Sequence, residues 1–341
     1  MAKRPSQRRL FRELAAKFGA EVAEAFRAAI ADLAFGVEFQ KLQLAIKQRD
    51  LAAAMAALHL DRAAFAGLEA KITEAYVAGG LGAAASMPAA VSIGFRFDPG
   101  NQRAASWIQR HAANLITGLW QGERDRAREF LADGMARGLH PRSVALDLVG
   151  RINRVTGSSE GGVIGLSGPQ RTAVEAAKAE LASTDPKALA NYLTRKRRNR
   201  NFDKTVSRAI REGKRIDPAT ARSMVTAYSN GLLKLRGEVI ARTEGLPAIR
   251  AAKREAYWQL VDDGRIDAQD IVRGWHTIKD GRQRDSHDAM DSQEVRGLDM
   301  PFQTPTGSSL LYPGDTSLGA DASETISCRC DESISIRRRA A

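Results

Sequence analysis

Cysteine is scarce in this chain, since its 341 residues include only Cys328 and Cys330. A disulfide framework needs several cysteines spread along the sequence, so that class of secreted scaffold is excluded, and we expect folding in a reducing cytoplasm. Aromatic residues are also few, at 6%, whereas 43% of the residues are hydrophobic and 27% are charged. This composition is typical of a soluble protein rich in helix.

Long apolar runs are absent as well. The longest one, residues 51–60, is rich in Ala, contains His59 and is bounded by Asp50 and Asp61. It is far shorter than the roughly 20 residues that a helix needs to cross a bilayer. The basic N-terminus is followed by amphipathic sequence instead of a continuous apolar segment. Neither a membrane span nor a secretory signal is therefore predicted.

Charge is abundant and unevenly placed, with a net charge of +12. Residues 191–254 include 17 basic and 5 acidic residues, a net +12, whereas residues 255–333 include 7 basic and 16 acidic residues, a net −9. Such segregation concerns partners and orientation in an electrostatic field, not the fold. At about 150 residues per domain, the length predicts two or three domains.

Helical periodicity dominates the first part of the chain. Apolar residues recur at spacings of three and four over residues 6–77, which predicts two or three amphipathic helices. The run GGLGAAAS at residues 79–86, followed by Pro88, predicts a hinge. Weak alternation over residues 91–97 predicts a short strand.

The middle of the chain is punctuated by proline and glycine. Helices are predicted over residues 101–137 and after Pro141, and a loop over the Gly- and Ser-rich residues 156–168. Further helices are expected after Pro169 and Pro186, because proline suits the first turn of a helix.

Asp217 and Pro218 form a helix start signal, an N-cap residue followed by proline. The helix that they open is predicted to run to Glu244, where Gly245 and Pro247 end it. A second helix is expected over residues 248–261. After Asp270, short apolar runs alternate with frequent Pro and Gly, which predicts short strands.

We therefore expect an α+β protein with predominantly helical N-terminal and middle regions and a small mixed α/β C-terminal domain. The expected divisions are a helical N-terminal region at residues 1–87, a helical middle region at 88–216 with a basic segment at 195–204, a C-terminal domain at 217–336 and a basic tail at 337–341.

Five motifs follow one another in the last hundred residues. They are GEVIARTE (237–244), GWHTIKDGRQRDSHDAMDSQEV (274–295), MPF (300–302), LLYPGD (310–315) and SETISCRC (323–330). In order and spacing they resemble the Mu F-like domain of phage head-morphogenesis proteins. The residues that carry the resemblance are Arg242, Glu244, Trp275, Asp280, Arg282, Arg284, His287, Pro313, Asp315, Cys328, Arg329 and Cys330. One departure is Asp291-Ser292, where the family usually has a Gly.

The resemblance implies a structural minor head protein of a tailed phage, present in few copies near the portal vertex or inside the capsid. Its implied partners are the portal and the capsid or scaffold proteins, with packaged DNA nearby and no membrane. Its implied location is the virion, and the host cytoplasm during assembly. Relatives sometimes carry a toxin domain after this region, and because only eleven residues follow Cys330, we expect none here.

A dense basic run precedes these motifs. In one interpretation its cations contact phosphates without reading sequence, since no helix-turn-helix, zinc finger or stacking signature accompanies it. Six such contacts predict a slope of log affinity against log salt of about −5. In the other interpretation the run is a solvated helix end or docks on an acidic protein surface. The residues concerned are Arg195, Lys196, Arg197, Arg198, Arg200 and Lys204.

His287, Cys328 and Cys330 supply three good ligands for structural zinc, the only cofactor that the sequence leaves open. A C-x-C pair in an extended segment directs both sulfurs to one face. Asp285, Asp288 or His276 is a candidate fourth ligand. The alternative is a pair of small buried thiols closing a turn, with His287 bonding a backbone carbonyl.

The same region also admits an enzyme hypothesis, a nuclease or an ADP-ribosyltransferase-like transferase in which His287 beside carboxylates acts as general base. However, the sequence lacks the G-x-x-x-x-G-K-[ST], G-x-S-x-G and H-E-x-x-H motifs and the Glu-x-Glu pair of such transferases. A structural network is favoured, and no catalytic residue is assigned. His287 in an open cleft with two carboxylates would favour the enzyme, whereas a buried His287 would favour structure.

In the structural interpretation, charged residues of the motifs pair with one another and lock the long helix onto the small domain. Trp258 and Trp275 are then expected in the core. The residues expected to pair are Arg242, Glu244, Arg282, Arg284 and Asp285.

Overall fold

The computed structural model describes residues 6–152 and 159–337. The helices in this part of the chain are α1 (Gln7–Phe35), α2 (Phe39–Gln48), α3 (Leu51–Ala57), α4 (Ala66–Ser86), α5 (Ala89–Ser92), α6 (Gln102–Ala136), α7 (Pro141–Val149), α8 (Gly168–Ala182), α9 (Pro186–Thr194), α10 (Asp203–Glu212), α11 (Pro218–Ile240), α12 (Leu246–Asp262), α13 (Asp285–Ala289) and α14 (Ala322–Thr325). The strands are β1 (Arg151–Ile152), β2 (Ser159–Glu160), β3 (Ile271–His276), β4 (Glu294–Arg296), β5 (Phe302–Gln303), β6 (Ser309–Leu310) and β7 (Asp331–Ile336). The predicted α+β class, helical first and with a small sheet near the C-terminal end, is confirmed.

The chain forms two compact units, each assembled from separated segments. Unit 1 consists of Met1–Ala25, Gly67–Leu115 and Glu238–Ala341, and unit 2 of Phe26–Ala66 and Ile116–Gly237. These divisions differ from the predicted ones at residues 87 and 216, because helices that are distant in sequence pack together. Of the predicted tail 337–341, all but Arg337 lies outside the described residues.

A three-stranded antiparallel sheet in the order β4-β3-β7 is the centre of the small domain in unit 1. The central strand β3 pairs with β7 along its full length, so that Trp275 lies opposite Glu332 and Ile271 opposite Ile336. Strands β5 and β6 form a separate two-stranded antiparallel pair.

Helix α12 packs on this sheet through side chains spaced one turn apart. Lys253 Nζ lies 3.3 Å from a carboxylate oxygen of Asp331, and the hydroxyl of Tyr257 donates to the carbonyl of Ile334 at 3.3 Å. The neighbouring Arg254 Nε donates to the carbonyl of Leu298 at 2.8 Å. Residues three or four apart share a helix face, so one face of α12 holds strand β7.

The predicted hinge at residues 79–86 is wrong, because α4 continues through it without a break. Its glycines serve close packing instead. A Cβ built on Gly79 would lie 2.5 Å from the carbonyl oxygen of Ile249, and one on Gly80 would collide with the ring of Phe97. Glycine is therefore needed here for the close approach of another backbone and ring, not for a bend.

The strand predicted at residues 91–97 is also wrong. Helix α5 ends at Ser92, and a turn with Gly94 in the left-handed region follows it. The carbonyl of Ile93 accepts a hydrogen bond from Arg265 Nη1 at 2.6 Å, so a side chain satisfies it where a strand would need a neighbouring backbone.

The junction of α11 and α12 differs from the prediction that Gly245 and Pro247 end the helix. The chain continues through a π-helical turn, Ala241–Gly245, directly into α12. Proline has no N–H to donate to the fourth residue before it. The wider turn lets Pro247 sit at the start of α12, where no such bond is needed.

The other predicted helix signals are confirmed. Helix α6 ends before Gly138 and α7 begins at Pro141. Prolines occupy the first turns of α8 and α9. At the start of α11, a carboxylate oxygen of Asp217 accepts from the backbone N–H of Thr220 at 2.9 Å, as an N-cap does. Of the predicted loop 156–168, residues 156–158 lie outside the described part, and 161–167 are irregular.

A buried charge cluster lies inside unit 2. Glu123 of α6 is 3% exposed and lies 2.6 Å from Nη1 of Arg236 on α11. The same carboxylate is 2.5 Å from Arg126 and accepts from the backbone N–H of Gly165 at 3.0 Å. Two arginines and an amide therefore compensate the charge that burial would otherwise penalise.

Within residues 6–152 and 159–337, no single helix has both the length and the apolar composition needed to cross a bilayer. Only the bent pair Leu51–Ala57 and Arg62–Ser86 meets these criteria when the two are taken together.

Candidate functional site

Two of the six residues of the predicted DNA-binding run are engaged inside unit 2. Arg195 donates from Nε and Nη2 to the two carboxylate oxygens of Glu180, at 2.7 and 2.8 Å. Arg198 donates from the same two nitrogens to Asp203, both at 2.8 Å. Such bidentate pairs fix geometry. These two arginines therefore tie α8, α9 and α10 together and are committed to the fold.

The other members of the run, Lys196, Arg197, Arg200 and Lys204, are exposed. The exposed face continues along α10, whose Val206 and Ala209 are buried on the opposite side. Residues four and seven apart share a helix face. We define the basic surface as the exposed residues Lys196, Arg200, Lys204, Arg208 and Arg211.

The three predicted metal ligands come together in unit 1. The Nδ1 atom of His287, on α13, lies 3.7 Å from the sulfur of Cys328 and 3.4 Å from that of Cys330. All three ligand atoms lie within 4.8 Å of one another, and all three residues are buried. We call this group the His-Cys cluster.

Local backbone structure explains how the two sulfurs reach the same place. Cys328 and Cys330 lie one residue apart in the short irregular segment between a turn and β7, and both sulfurs face His287. Arg329 between them donates from Nη2 to Asp280 at 2.8 Å. Buried Arg250 of α12 donates to the carbonyls of both cysteines. The cysteine segment is thus held by Arg250 of α12 on one side and by Asp280 on the other.

The second nitrogen of His287 faces a carboxylate. Its Nε2 lies 2.9 Å from Glu324 of α14, at an angle that makes the contact electrostatic instead of a well-aligned hydrogen bond. Glu324 accepts from the hydroxyls of Thr306 at 2.6 Å and Ser286 at 2.9 Å. Burial opposes ionisation of Glu324, but these hydrogen bonds and the neighbouring charges outweigh it and lower the pKa of Glu324.

The two thiols influence each other. The contact with Cys330, followed by the contact with His287, lowers the pKa of Cys328 well below its usual value, although burial opposes this shift. The same Cys328 contact, and then burial, raise the pKa of Cys330. The two thiols therefore titrate as a coupled pair.

The predicted fourth ligands are elsewhere. Asp285 and Asp288 are exposed, and His276 Nε2 lies 2.8 Å from the hydroxyl of Ser333. None of these residues belongs to the group of ligand atoms within 4.8 Å.

The surroundings of His287 favour a structural role over acid–base catalysis. Its side chain is 2% exposed, and its ion-pair partner Glu324 is also buried. A general base must reach the proton that it abstracts, which requires access from a cleft. The ring also packs edge-on against Trp275, with centroids 5.2 Å apart.

The charged motif residues make contacts other than the predicted lock of the long helix onto the small domain. Glu244 lies 3.3 Å from His111 on α6, and Arg282 pairs with Asp280 at 3.1 Å. Arg284 donates to the carbonyl of Ile326. The expected pairing of Glu244 with Arg282 or Arg284 is therefore wrong. The small domain is held by α12 instead, through Arg250, Lys253 and Arg254. Asp285 is exposed and has no part in these contacts. Arg242 makes a contact of its own.

The remaining motif residues shape the small domain. Trp275 is fully buried, as expected, whereas Trp258 is half-buried beneath Arg103. The carbonyl of Pro313 accepts from Arg250 Nη1 at 2.9 Å. Buried Asp315 closes its turn by accepting from the backbone N–H groups of Leu311 and Ser317, each at 3.0 Å.

The departure from the family pattern at Asp291-Ser292 places a serine where the backbone favours glycine. Ser292 has a φ of 72°, in the left-handed region that glycine adopts without strain. Asp291 accepts from the backbone N–H of Thr277 at 2.9 Å. The turn is thus formed by a residue that tolerates this conformation poorly, with a side-chain bond beside it.

Sequence reasoning missed Arg250, Glu324 and Gln283. Arg250 is fully buried in α12, where nothing in the helical pattern distinguishes it from a surface arginine. Glu324 lies inside the SETISCRC motif, so its position beside two candidate ligands was a usable signal. The buried Oε1 of Gln283 has no hydrogen-bond partner, and nothing in the sequence indicates this.

The comparisons with known proteins agree with these observations. No curated protein and no solved structure matches the chain. Residues 200–333 match the family model described as Phage Mu protein F like protein, which includes α10 to α12, the small sheet and the His-Cys cluster. The motifs and this match together identify residues 200–333 as a region similar to the phage Mu F-like family.

Proposed function

We propose that the protein is a structural minor head protein of a tailed phage that assembles beside the portal during formation of the head. The observation that carries the proposal is the match of residues 200–333 to the Mu F-like family, a family of phage head morphogenesis. The buried His287 supports a structural role, since it leaves the enzyme hypothesis without an accessible base.

Association with portal and procapsid is tested directly with the full chain. Pull-down against the portal protein of the same genome is expected to retain it, and quantitative mass spectrometry of purified heads is expected to find far fewer copies than of the major capsid protein. Absence of the protein from heads at every stage of assembly would refute this function.

We further propose that the basic surface contacts the phosphates of duplex DNA. Its five cations lie between residues 196 and 211 and are exposed, whereas the arginines of the same run with bidentate carboxylate partners are not available. Cations that meet phosphates release counterions and bind without regard to sequence. Gel shift of random-sequence duplex at low salt tests the contact.

Docking on an acidic protein surface is the second interpretation of the same residues. It predicts that neutralising the basic surface abolishes retention on portal or capsid protein and that the unaltered chain shows little DNA binding. The two interpretations therefore give opposite results in one pair of assays.

A further inference from the structure

The spacing of the His-Cys cluster is that of a tetrahedral metal site. With Zn–S near 2.3 Å and Zn–N near 2.05 Å, a tetrahedral angle places nitrogen about 3.6 Å from each sulfur. The observed distances from His287 Nδ1 are 3.7 Å to Cys328 and 3.4 Å to Cys330. Both nitrogen–sulfur distances therefore match a tetrahedral site, and the three ligand atoms lie within 4.8 Å of one another.

The imidazole is oriented as a ligand. Glu324 lies 2.9 Å from Nε2 and favours a proton there, which leaves the lone pair of Nδ1 directed at the two sulfurs. Metal-bound histidines typically present their other nitrogen to a carboxylate, which fixes the ring and increases its basicity. Ser286 and Thr306 in turn hold that carboxylate.

A small cavity lies beside the cluster and has room for a fourth ligand. A cavity of about 20 Å³ is lined by His287, Cys330 and Gln283, among others. A cavity of roughly 10–15 Å³ suffices for one water. The buried Oε1 of Gln283, which has no hydrogen-bond partner in the structure, is available to accept from such a water.

The small domain has a small hydrophobic core, which a bound metal would stabilise. Its hydrophobic cluster consists of six buried residues, and two of them are the cysteines themselves. Small cores supply limited folding free energy, and a structural metal commonly supplements it. We propose that His287, Cys328 and Cys330 bind one Zn²⁺ ion that stabilises the small domain, with a water in the Gln283 cavity as fourth ligand.

The test is metal analysis of the full chain, purified without metal-affinity resin. About one equivalent of zinc per chain is expected, together with a lower melting temperature after chelation that added Zn²⁺ restores and Mg²⁺ does not, because binding energy is folding energy. Cobalt exchanged into the site is expected to give thiolate-to-metal charge-transfer absorption and the spectrum of a tetrahedral ion.

The variants His287→Ala, Cys328→Ser and Cys330→Ser are each expected to lose the metal. Matched controls are His276→Asn and Asp288→Asn, which alter neighbouring candidate ligands outside the cluster and are expected to retain it. If the ligand variants fail to fold, the metal content of the unaltered protein still decides. Unaltered protein with two titratable thiols and no metal, or with a Cys328–Cys330 disulfide, would overturn the proposal.

Discussion

The salt dependence of DNA binding tests the basic surface quantitatively. Five phosphate contacts predict a slope of log affinity against log salt of about −4.5, at −0.9 per contact. The sequence alone predicts about −5 from a different set of six, which includes Arg195 and Arg198. The structure removes these two, because each holds a carboxylate inside unit 2, and Arg197 is not counted because it makes a contact of its own. It adds Arg208 and Arg211, which are exposed on α10.

The perturbation is the triple variant Lys196→Gln, Arg200→Gln and Lys204→Gln. Losing three contacts is expected to reduce the slope by about 2.7, to near −1.8. Between 50 and 200 mM salt, affinity is then expected to fall about 12-fold, compared with about 500-fold for the unaltered protein. Because the three side chains are exposed, stability is expected to change by less than about 0.5 kcal/mol.

The assay is fluorescence anisotropy of a labelled random duplex over a salt series. A matched control, Lys41→Gln, Lys47→Gln and Arg62→Gln, removes the same charge from exposed positions outside the basic surface and is expected to leave the slope nearly unchanged. Equal slopes for the two triple variants would refute the assignment of the surface. No binding at low salt would refute DNA contact altogether.

Two further predictions concern the packing that supports these sites, and both are measured by urea unfolding. Gly79→Ala is expected to lower the free energy of unfolding by about 1–3 kcal/mol, because the added Cβ meets the backbone of α12. The control Gly67→Ala, in the same helix, has open space and is expected to raise the free energy of unfolding by up to about 1 kcal/mol. Equal effects of the two variants would contradict the close-approach argument. Glu123→Leu is expected to lower the free energy of unfolding by about 3–5 kcal/mol, because it leaves two arginines without their carboxylate partner. Loss of exposed Glu129 is expected to lower it by less than about 0.5 kcal/mol. A mild effect of Glu123→Leu would show that the buried charges are solvated.

Local signals in the sequence were reliable wherever the responsible physics is local. Asp217 with Pro218, and Pro141, mark helix starts because capping and a fixed φ act within one turn. Proline and glycine gave wrong predictions of helix ends and hinges where their role in the structure is close packing. The GGLG run lies within α4 because another backbone approaches it, and Pro247 lies within a nearly continuous helix because a π-turn precedes it.

The charge pattern had a similar limit. The sequence located the cations between residues 195 and 204, but only the tertiary structure decides which of them face solvent. Arg195 and Arg198 have carboxylate partners on α8 and α10, and the first of these lies 15 residues away. Helical periodicity contains no information about partners on other helices.

The sequence by itself determined the helical character of the chain, the small C-terminal sheet domain, the Mu F-like motifs and the three candidate metal ligands. Their proximity depends on strand register and on buried Arg250, which place Cys328 and Cys330 against His287 some 40 residues away. The tertiary structure also selected Glu324 and the Gln283 cavity as the neighbours of the cluster and left Asp285, Asp288 and His276 outside it. Motif spacing shows which ligands a chain carries, whereas coordination depends on distances that only packing sets.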